Sequence, residues 1–354
     1  MVFHYGRHPC RRERDPPSMN AQPRVPAIVI RRRPSGLPQP DDLGLAEVEV
    51  PELADGDVRV AVLDLSLDPY LRSTLAGRHL GDAPLAIGDV VPGRAIGRVV
   101  ASRAADVPDG TLVLAETGWR AEAVIPAKAA TPVRVPEGIP ASAALGAFGM
   151  PGLTAYAAVV RQLVPRPGET VVVGSATGGV GSVAGAMLRH RGARTVAIVG
   201  DDDKAADATQ RLGYAAAVVR GRDRWEAALA AACPDGIDGY LHMGDMPTLH
   251  TAVSLLAPGA RVSLCGLMDQ YNDGPPTMLP VGAVMMARAV VHGMVVYDHG
   301  DLAGAQHEEV AALIADGTLT LHEERHVGLA SAPAAFARLM AGHNRGKVVV
   351  TVGS

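Results

Sequence analysis

The stretch Glu169-Thr170-Val171-Val172-Val173-Gly174-Ser175-Ala176-Thr177-Gly178-Gly179-Val180-Gly181-Ser182 constrains the fold of this 354-residue chain more than any other. Val171 to Val173 are apolar at every position. A strand without alternation is one buried on both faces, as in a parallel sheet. Glycines follow at once, and then Val183 to His190, which has helix-forming composition. A glycine turn between a buried strand and a helix brings bare backbone N–H groups and a helix N-terminus to one point. Such a point suits a pyrophosphate. The spacing is Ser-x-x-Gly-x-x-Gly, not Gly-x-Gly-x-x-Gly, so the turn alone also fits other α/β proteins. Its context is more specific. A second strand, Thr195 to Val199, follows the helix and ends in Gly200-Asp201-Asp202-Asp203-Lys204. That completes a βαβ unit of about 30 residues. The polar end lies about 20 residues past the last glycine, where a dinucleotide site reads the adenine ribose.

Two rhythms divide the rest of the chain. From Val25 to Val135 the pattern is short strands with Gly, Pro and Asp between them: Ala27 to Ile30, Val58 to Leu65, Ala95 to Val100, Thr111 to Ala115 and Ala121 to Ile125. That predicts a β-rich barrel or sandwich. From about Pro151, strand and helix alternate through Val171, Thr195, Ala215, Gly239 and Arg261, which predicts a doubly wound parallel sheet. A short strand follows Gly317. Beyond it come a helix from Ala332 to Met340, with Ser331 as N-cap, and a last strand from Lys347 to Val352. Either domain can accept this tail.

Several classes are excluded. A net charge of −4 and a pI near 6.3 give no electrostatic footprint for nucleic acid. The core must be Ala, Val and Leu, because 48% of residues are hydrophobic and only 3% aromatic. The longest apolar candidate, Met278 to Tyr297, is broken by Arg288 and His292, so it reads as buried strand and helix and not as a membrane span. Cys10, Cys233 and Cys265 are far apart and odd in number. They argue against a disulfide framework and a structural zinc cluster, and for the cytoplasm. Residues 1–20 carry arginines and prolines without an apolar run, so a disordered tail is expected there, with Met19 as a natural start.

Four segments resemble one family. Leu65 to Arg72 (LSLDPYLR), Gly149 to Tyr156 (GMPGLTAY), Cys265 to Asn272 (CGLMDQYN) and Gly342 to Lys347 (GHNRGK) are similar, in order, to the motifs of the medium-chain dehydrogenase/reductase superfamily. The branch they resemble is that of zinc-independent prostaglandin reductases and NADPH-dependent alkenal/one oxidoreductases, curcumin reductase-like. The resemblance runs from about Arg24 to Val352. It implies an α/β chain with a GroES-like β-rich domain, 21–148 and 301–354, and a Rossmann domain with a doubly wound parallel sheet, 149–300. It implies hydride transfer from NADP(H) to the β-carbon of an α,β-unsaturated carbonyl, a small-molecule substrate, and a homodimer.

A zinc alcohol dehydrogenase needs Cys, His and usually Glu converging on the metal. After the tail, the N-terminal domain holds no cysteine and only His79, so no catalytic metal is expected. The resemblance then gives Tyr271 as proton donor. A phenol can donate to a developing oxyanion without first losing its proton. The alternatives are that Tyr271 packs on the nicotinamide and that the cofactor ribose or water supplies the proton. Tyr70, Arg72 and Asn272 are expected around the substrate, with a structural turn and an Arg72 ion pair as the other reading. The resemblance assigns the cofactor to Thr154, Gly178, Gly179, Val180, Gly181, Lys204, Met243, Cys265, Gly266, Tyr271, Val295 and Asn344.

Three features depart from simple expectation. Asp201 to Asp203 precede Lys204, and acids there ordinarily suit a free ribose 2′-OH rather than a 2′-phosphate. The family's Tyr after the next strand is Val219, with Arg220, Arg222 and Arg224 beyond it. The family's Asn in the ENVGG-like turn is Met243. His242 and His292 are lone histidines near sheet ends, expected to be structural. Other readings of the same fold are a quinone reductase and a pathway enoyl reductase. From another class comes an NADP(H)-binding protein or cyclase scaffold without turnover.

Overall fold

The computed structural model describes residues 23–77 and 85–353. The expected tail 1–20, Met19 and His79 lie outside them. Thr170–Val173 is a strand with all four residues buried. It sits inside a six-stranded parallel sheet. Across that sheet the order is 216–219, 194–199, 170–173, 237–244, 256–267 and 290–293. Chain direction across the sheet therefore reverses between 170–173 and 237–244. Ligands of such sheets bind beyond the carboxyl ends of the strands at this switch point, and the glycine turn is located there. Both faces are covered. Ala184, Met187 and Leu188 of the helix Gly179–His190 pack on one face, and Trp225, Leu229, Leu249 and Val253 on the other.

The second body is a seven-stranded sheet around Asp57–Ser66 and Arg94–Ser102, with Arg24–Ile30 and Leu43–Glu49 paired beside it. Few aromatics are available to fill it. Trp119 and Phe336 meet edge to face at 5.6 Å in its core. The last strand, Lys347–Thr351, joins this sheet, with Val349 opposite Ser66. Just before it, Gly346 bridges to Gly178 of the glycine turn. The chain's end thus runs between the two bodies.

Three expectations change. The helix after the turn starts at Gly179 rather than Val183, so Gly181 lies inside its first turn. Ser331 precedes Ala332–Met340, but its hydroxyl donates to the Gly328 carbonyl and caps no helical N–H. Met278 to Tyr297 is buried only at Ala287 and Met294. Val281, Met285 and Met286 are 70%, 71% and 71% exposed, and Val290 on the edge strand is 51% exposed. Apolar composition alone does not say whether such a segment is packed inside the fold or left exposed on it. Among the described residues no helix is long and apolar enough to cross a membrane.

Candidate active site

A cleft of about 1010 Å³ opens between the two bodies at the switch point. Its floor is the glycine turn. Gly178 is the N-cap of the helix Gly179–His190, whose first N–H groups have no intrahelical partner. Gly181 is pressed against the preceding turn: a Cβ there would lie 2.6 Å from the Ser175 carbonyl oxygen and 2.7 Å from Ala176 Cα. The Tyr214 hydroxyl donates to the Gly181 carbonyl at 2.7 Å and fixes the same turn from behind. A bare turn, a helix N-terminus and an elongated cleft fit a dinucleotide.

At one end of the cleft lie Lys204 and Arg220. The three aspartates before Lys204 do not line it. Asp201 accepts from the Lys204 backbone N–H at 2.8 Å as the N-cap of a short helix. Asp202 pairs with Arg222, and Asp203 with Arg345. Their charges are thus occupied by partners of the same chain. The Lys204 ammonium donates to the Gly342 carbonyl, and burial lowers its pKa. Arg220, next to Val219, pairs with Asp245 at 2.6 Å.

The other end collects the predicted nicotinamide and substrate residues. Thr154, Met243, Cys265, Gly266, Val295 and Asn344 all line the cleft, as do Tyr70, Tyr271 and Asn272. Thr154 lies on the helix that starts after Gly149, and its hydroxyl donates to the Met150 carbonyl. The Met243 carbonyl accepts from Ser175 Oγ at 2.7 Å, which ties the two strand ends together. The Asn344 amide donates to the Gly346 carbonyl at 2.9 Å. Tyr271 ends the short helix Met268–Tyr271. Burial, with Cys265 nearby, raises its phenol above the ordinary value. Burial raises Tyr70 also, with Asp68 and Glu116 adding to the effect. Both phenols are therefore hydrogen-bond donors at neutral pH.

Arg72 does not line the cleft. It is fully buried and paired with Asp273, so of the two readings the ion pair holds. His242 is buried with Nδ1 against the Tyr240 hydroxyl at 2.8 Å, and burial lowers it to about 4. Neither His242 nor His292 reaches the cleft.

Residues not singled out from sequence also line it. Lys347 and Asp68 form a buried pair at 2.7 Å, and the Lys347 ammonium also donates to the Leu67 carbonyl at 2.7 Å. Both residues sit in the segments that carried the resemblance. Tyr297 joins them on the cleft wall, and no sequence signal marked it. Among the described residues no group of three or more His, Cys, Asp or Glu could hold a metal.

A two-lobed dinucleotide-binding fold with a phenol-lined cleft is the class these features define. Residues 27–133 match the family described as "N-terminal domain of oxidoreductase", and residues 179–314 match "Zinc-binding dehydrogenase". The NADPH-dependent curcumin reductase of Escherichia coli is 33% identical over 331 residues, 92% of this chain and 96% of that one. Prostaglandin reductase 1 of Bos taurus is 32% identical over 91% of this chain and 97% of its own. The crystal structure of CurA from Vibrio vulnificus in complex with NADPH superposes with a TM-score of 0.87 at 31% identity, over 93% of this chain and all of that one. The chain belongs to the medium-chain dehydrogenase/reductase superfamily, in the branch of the curcumin and prostaglandin reductases.

Proposed function

We propose that this chain is a cytoplasmic NADPH-dependent enzyme that reduces the C=C bond of α,β-unsaturated carbonyl compounds without zinc. One observation carries the reading. The half-buried, protonated phenol of Tyr271 lines the same cleft as the glycine turn. Relatives that cover nearly the whole chain support it. When bound, NADPH supplies a hydride for the β-carbon. The chain's own groups do the rest. Backbone N–H groups at Gly178 to Gly181 hold the pyrophosphate. Lys204 and Arg220 hold the 2′-phosphate, since both cations line the cleft and the aspartates do not. Thr154, Met243, Cys265, Gly266, Val295 and Asn344 wall the nicotinamide half. Tyr271 holds its proton at Oη and donates toward the substrate carbonyl oxygen as charge builds there. Tyr70 and Asn272 shape the substrate side.

Turnover of NADPH with a panel of enones, enals and quinones, followed by loss of NADPH absorbance, tests this reading. Enone-dependent oxidation supports it. Quinone-only oxidation would make the chain a quinone reductase. Met243, in place of the family's Asn, favours a second reading, an NADP(H)-binding protein without turnover. Tight NADPH binding with no oxidation across the panel would establish that reading instead.

Lys204→Ala should weaken NADPH and leave NADH almost unchanged. A hydrogen bond to a charged group contributes about 1.5–3 kcal/mol, so the Kd for NADPH should rise roughly ten- to a hundredfold. Titration of both cofactors by quenching of protein fluorescence measures this. Equal losses for NADPH and NADH would remove Lys204 from the 2′-phosphate.

A homodimer is the cover proposed for the helix Val281–Ala287 and the edge strand Val290–Gly293. That strand pairs with 261–264 on one side, and an apolar edge of this kind invites pairing with a second copy. The double variant Met286→Glu, Val290→Lys should sediment as one chain where the parent sediments as two. A parent that sediments as one chain would refute the dimer.

A further inference from the structure

Arg72 is the largest charged side chain buried outright in the described residues, and it touches neither the cleft nor solvent. Its guanidinium bonds through Nε and Nη2 to one cluster, and Nη1 is buried without a hydrogen-bond partner among the described residues. Nη2 donates to Asp273 Oδ2 at 2.5 Å, to the Pro34 carbonyl at 3.1 Å and to the Gly36 carbonyl at 3.0 Å. Nε donates to the Gly36 carbonyl at 3.2 Å. The Gly36 N–H donates in turn to Asp273 Oδ2 at 3.0 Å. Arg72 and Gly36 belong to the N-terminal body. Asp273 belongs to the loop after the short helix Met268–Tyr271 of the opposite body, two residues beyond Tyr271.

The backbone of Asp273 is unusual. Its φ is +61°, in the left-handed region that few residues other than glycine adopt. Such a conformation persists where surrounding contacts over-determine it. The other end of the Tyr271 helix is also held. Asp269 accepts from the Met246 N–H at 2.8 Å, and its carbonyl accepts from the Gly274 N–H at 2.7 Å. Tyr271 is therefore suspended between a carboxylate fixed to its own body and a carboxylate fixed to the opposite one. Its neighbours Asn272 and Gly274 line the cleft, as does Leu37, the residue after Gly36.

We propose that Arg72 and Asp273 form a cross-body clamp that positions the Tyr271 phenol, so that apposition of the two bodies and placement of the proton donor are one event. The clamp acts through Tyr271 and touches no reacting atom, so both are positioning residues. The proposal rests on the assignment of Tyr271 above.

Asp273→Asn is the test. It keeps the size, tolerates the left-handed backbone as aspartate does, and removes the charge that Arg72 grips. With an enone and NADPH, kcat should fall about tenfold while KM for NADPH stays within about twofold, the signature of lost orientation rather than lost binding. In a Tyr271→Phe background the same change should cost less than about twofold, because a clamp without its phenol has nothing left to position. Hydrogen exchange needs no turnover: backbone amides of 268–276 should exchange about tenfold faster in Asp273→Asn, with 170–173 unchanged as the control for folding. Multiplying effects of Asp273→Asn and Tyr271→Phe, or unchanged exchange at 268–276, would overturn the clamp. If the parent chain turns over no enone, the proposed activity falls, and the exchange result alone decides whether the clamp holds the loop.

Discussion

Gly181→Ala is expected to abolish NADPH binding and to destabilise the fold. The added Cβ would lie 2.6 Å from the Ser175 carbonyl oxygen, 2.7 Å from Ala176 Cα and 2.7 Å from the Ala176 carbonyl oxygen. All three are backbone atoms, so no flexible side chain can swing away. Either the helix Gly179–His190 moves off the strand end or the turn opens. Overpacking of this kind costs about 1–3 kcal/mol or more. It also displaces the N–H groups that face the cleft floor, which is the larger functional loss. The same addition at Gly178 meets only the Ser175 carbonyl oxygen at 3.3 Å, and at Gly179 it meets the Lys347 side chain at 3.2 Å. Thermal melting with and without NADPH should therefore rank the variants. Gly178→Ala should keep most of the rise in Tm that ligand binding gives the parent. Gly181→Ala should melt lower and show no rise. A Gly181→Ala protein that binds NADPH as the parent does would mean that the cofactor does not use this turn.

The contrast between those glycines explains what could be read from the sequence. Val171 to Val173 announced themselves because a strand buried on both faces has no polar position. The glycine turn followed from its place between strand and helix, and the four family segments brought Tyr70, Tyr271 and Asn344 to one cleft. Side-chain direction was the part that stayed hidden. Tyr70 and Arg72 stand two residues apart, yet the first lines the cleft and the second is buried behind it, gripping a residue 201 positions away. By local pattern the aspartates before Lys204 compete with a 2′-phosphate. Their partners, Arg222 at 20 positions and Arg345 at 142, are set by tertiary structure and not by local pattern. For Met278 to Tyr297, apolar composition alone does not distinguish a buried core segment from an exposed apolar face. Lys347 and Asp68 were visible as letters of two motifs, but only the return of the last strand to Asp57–Ser66 makes them a pair.

Tyr271→Phe should lower kcat with an enone by roughly a hundred- to a thousandfold, the range for removing one donor to a developing oxyanion. The ring stays, so packing against the cleft wall and the binding of NADPH should change little. The effect isolates one proton and one hydrogen bond. Its pH dependence has a definite sign. Burial is the main cause that raises the phenol, with Cys265 second. The protonated form is the donor, so the parent rate should be flat through neutral pH and fall only as pH passes the raised phenol value, above the ordinary value of about 10. Tyr271→Phe should lack the limb that belongs to this phenol, because the donor that titrates is gone. Steady-state rates across alkaline pH with a single enone, run on both proteins, separate the cases. If the variant keeps the parent's kcat and limb, Tyr271 only lines the cleft, and the proton must come from the cofactor ribose or from water. If kcat falls and the limb disappears together, the phenol is the donor.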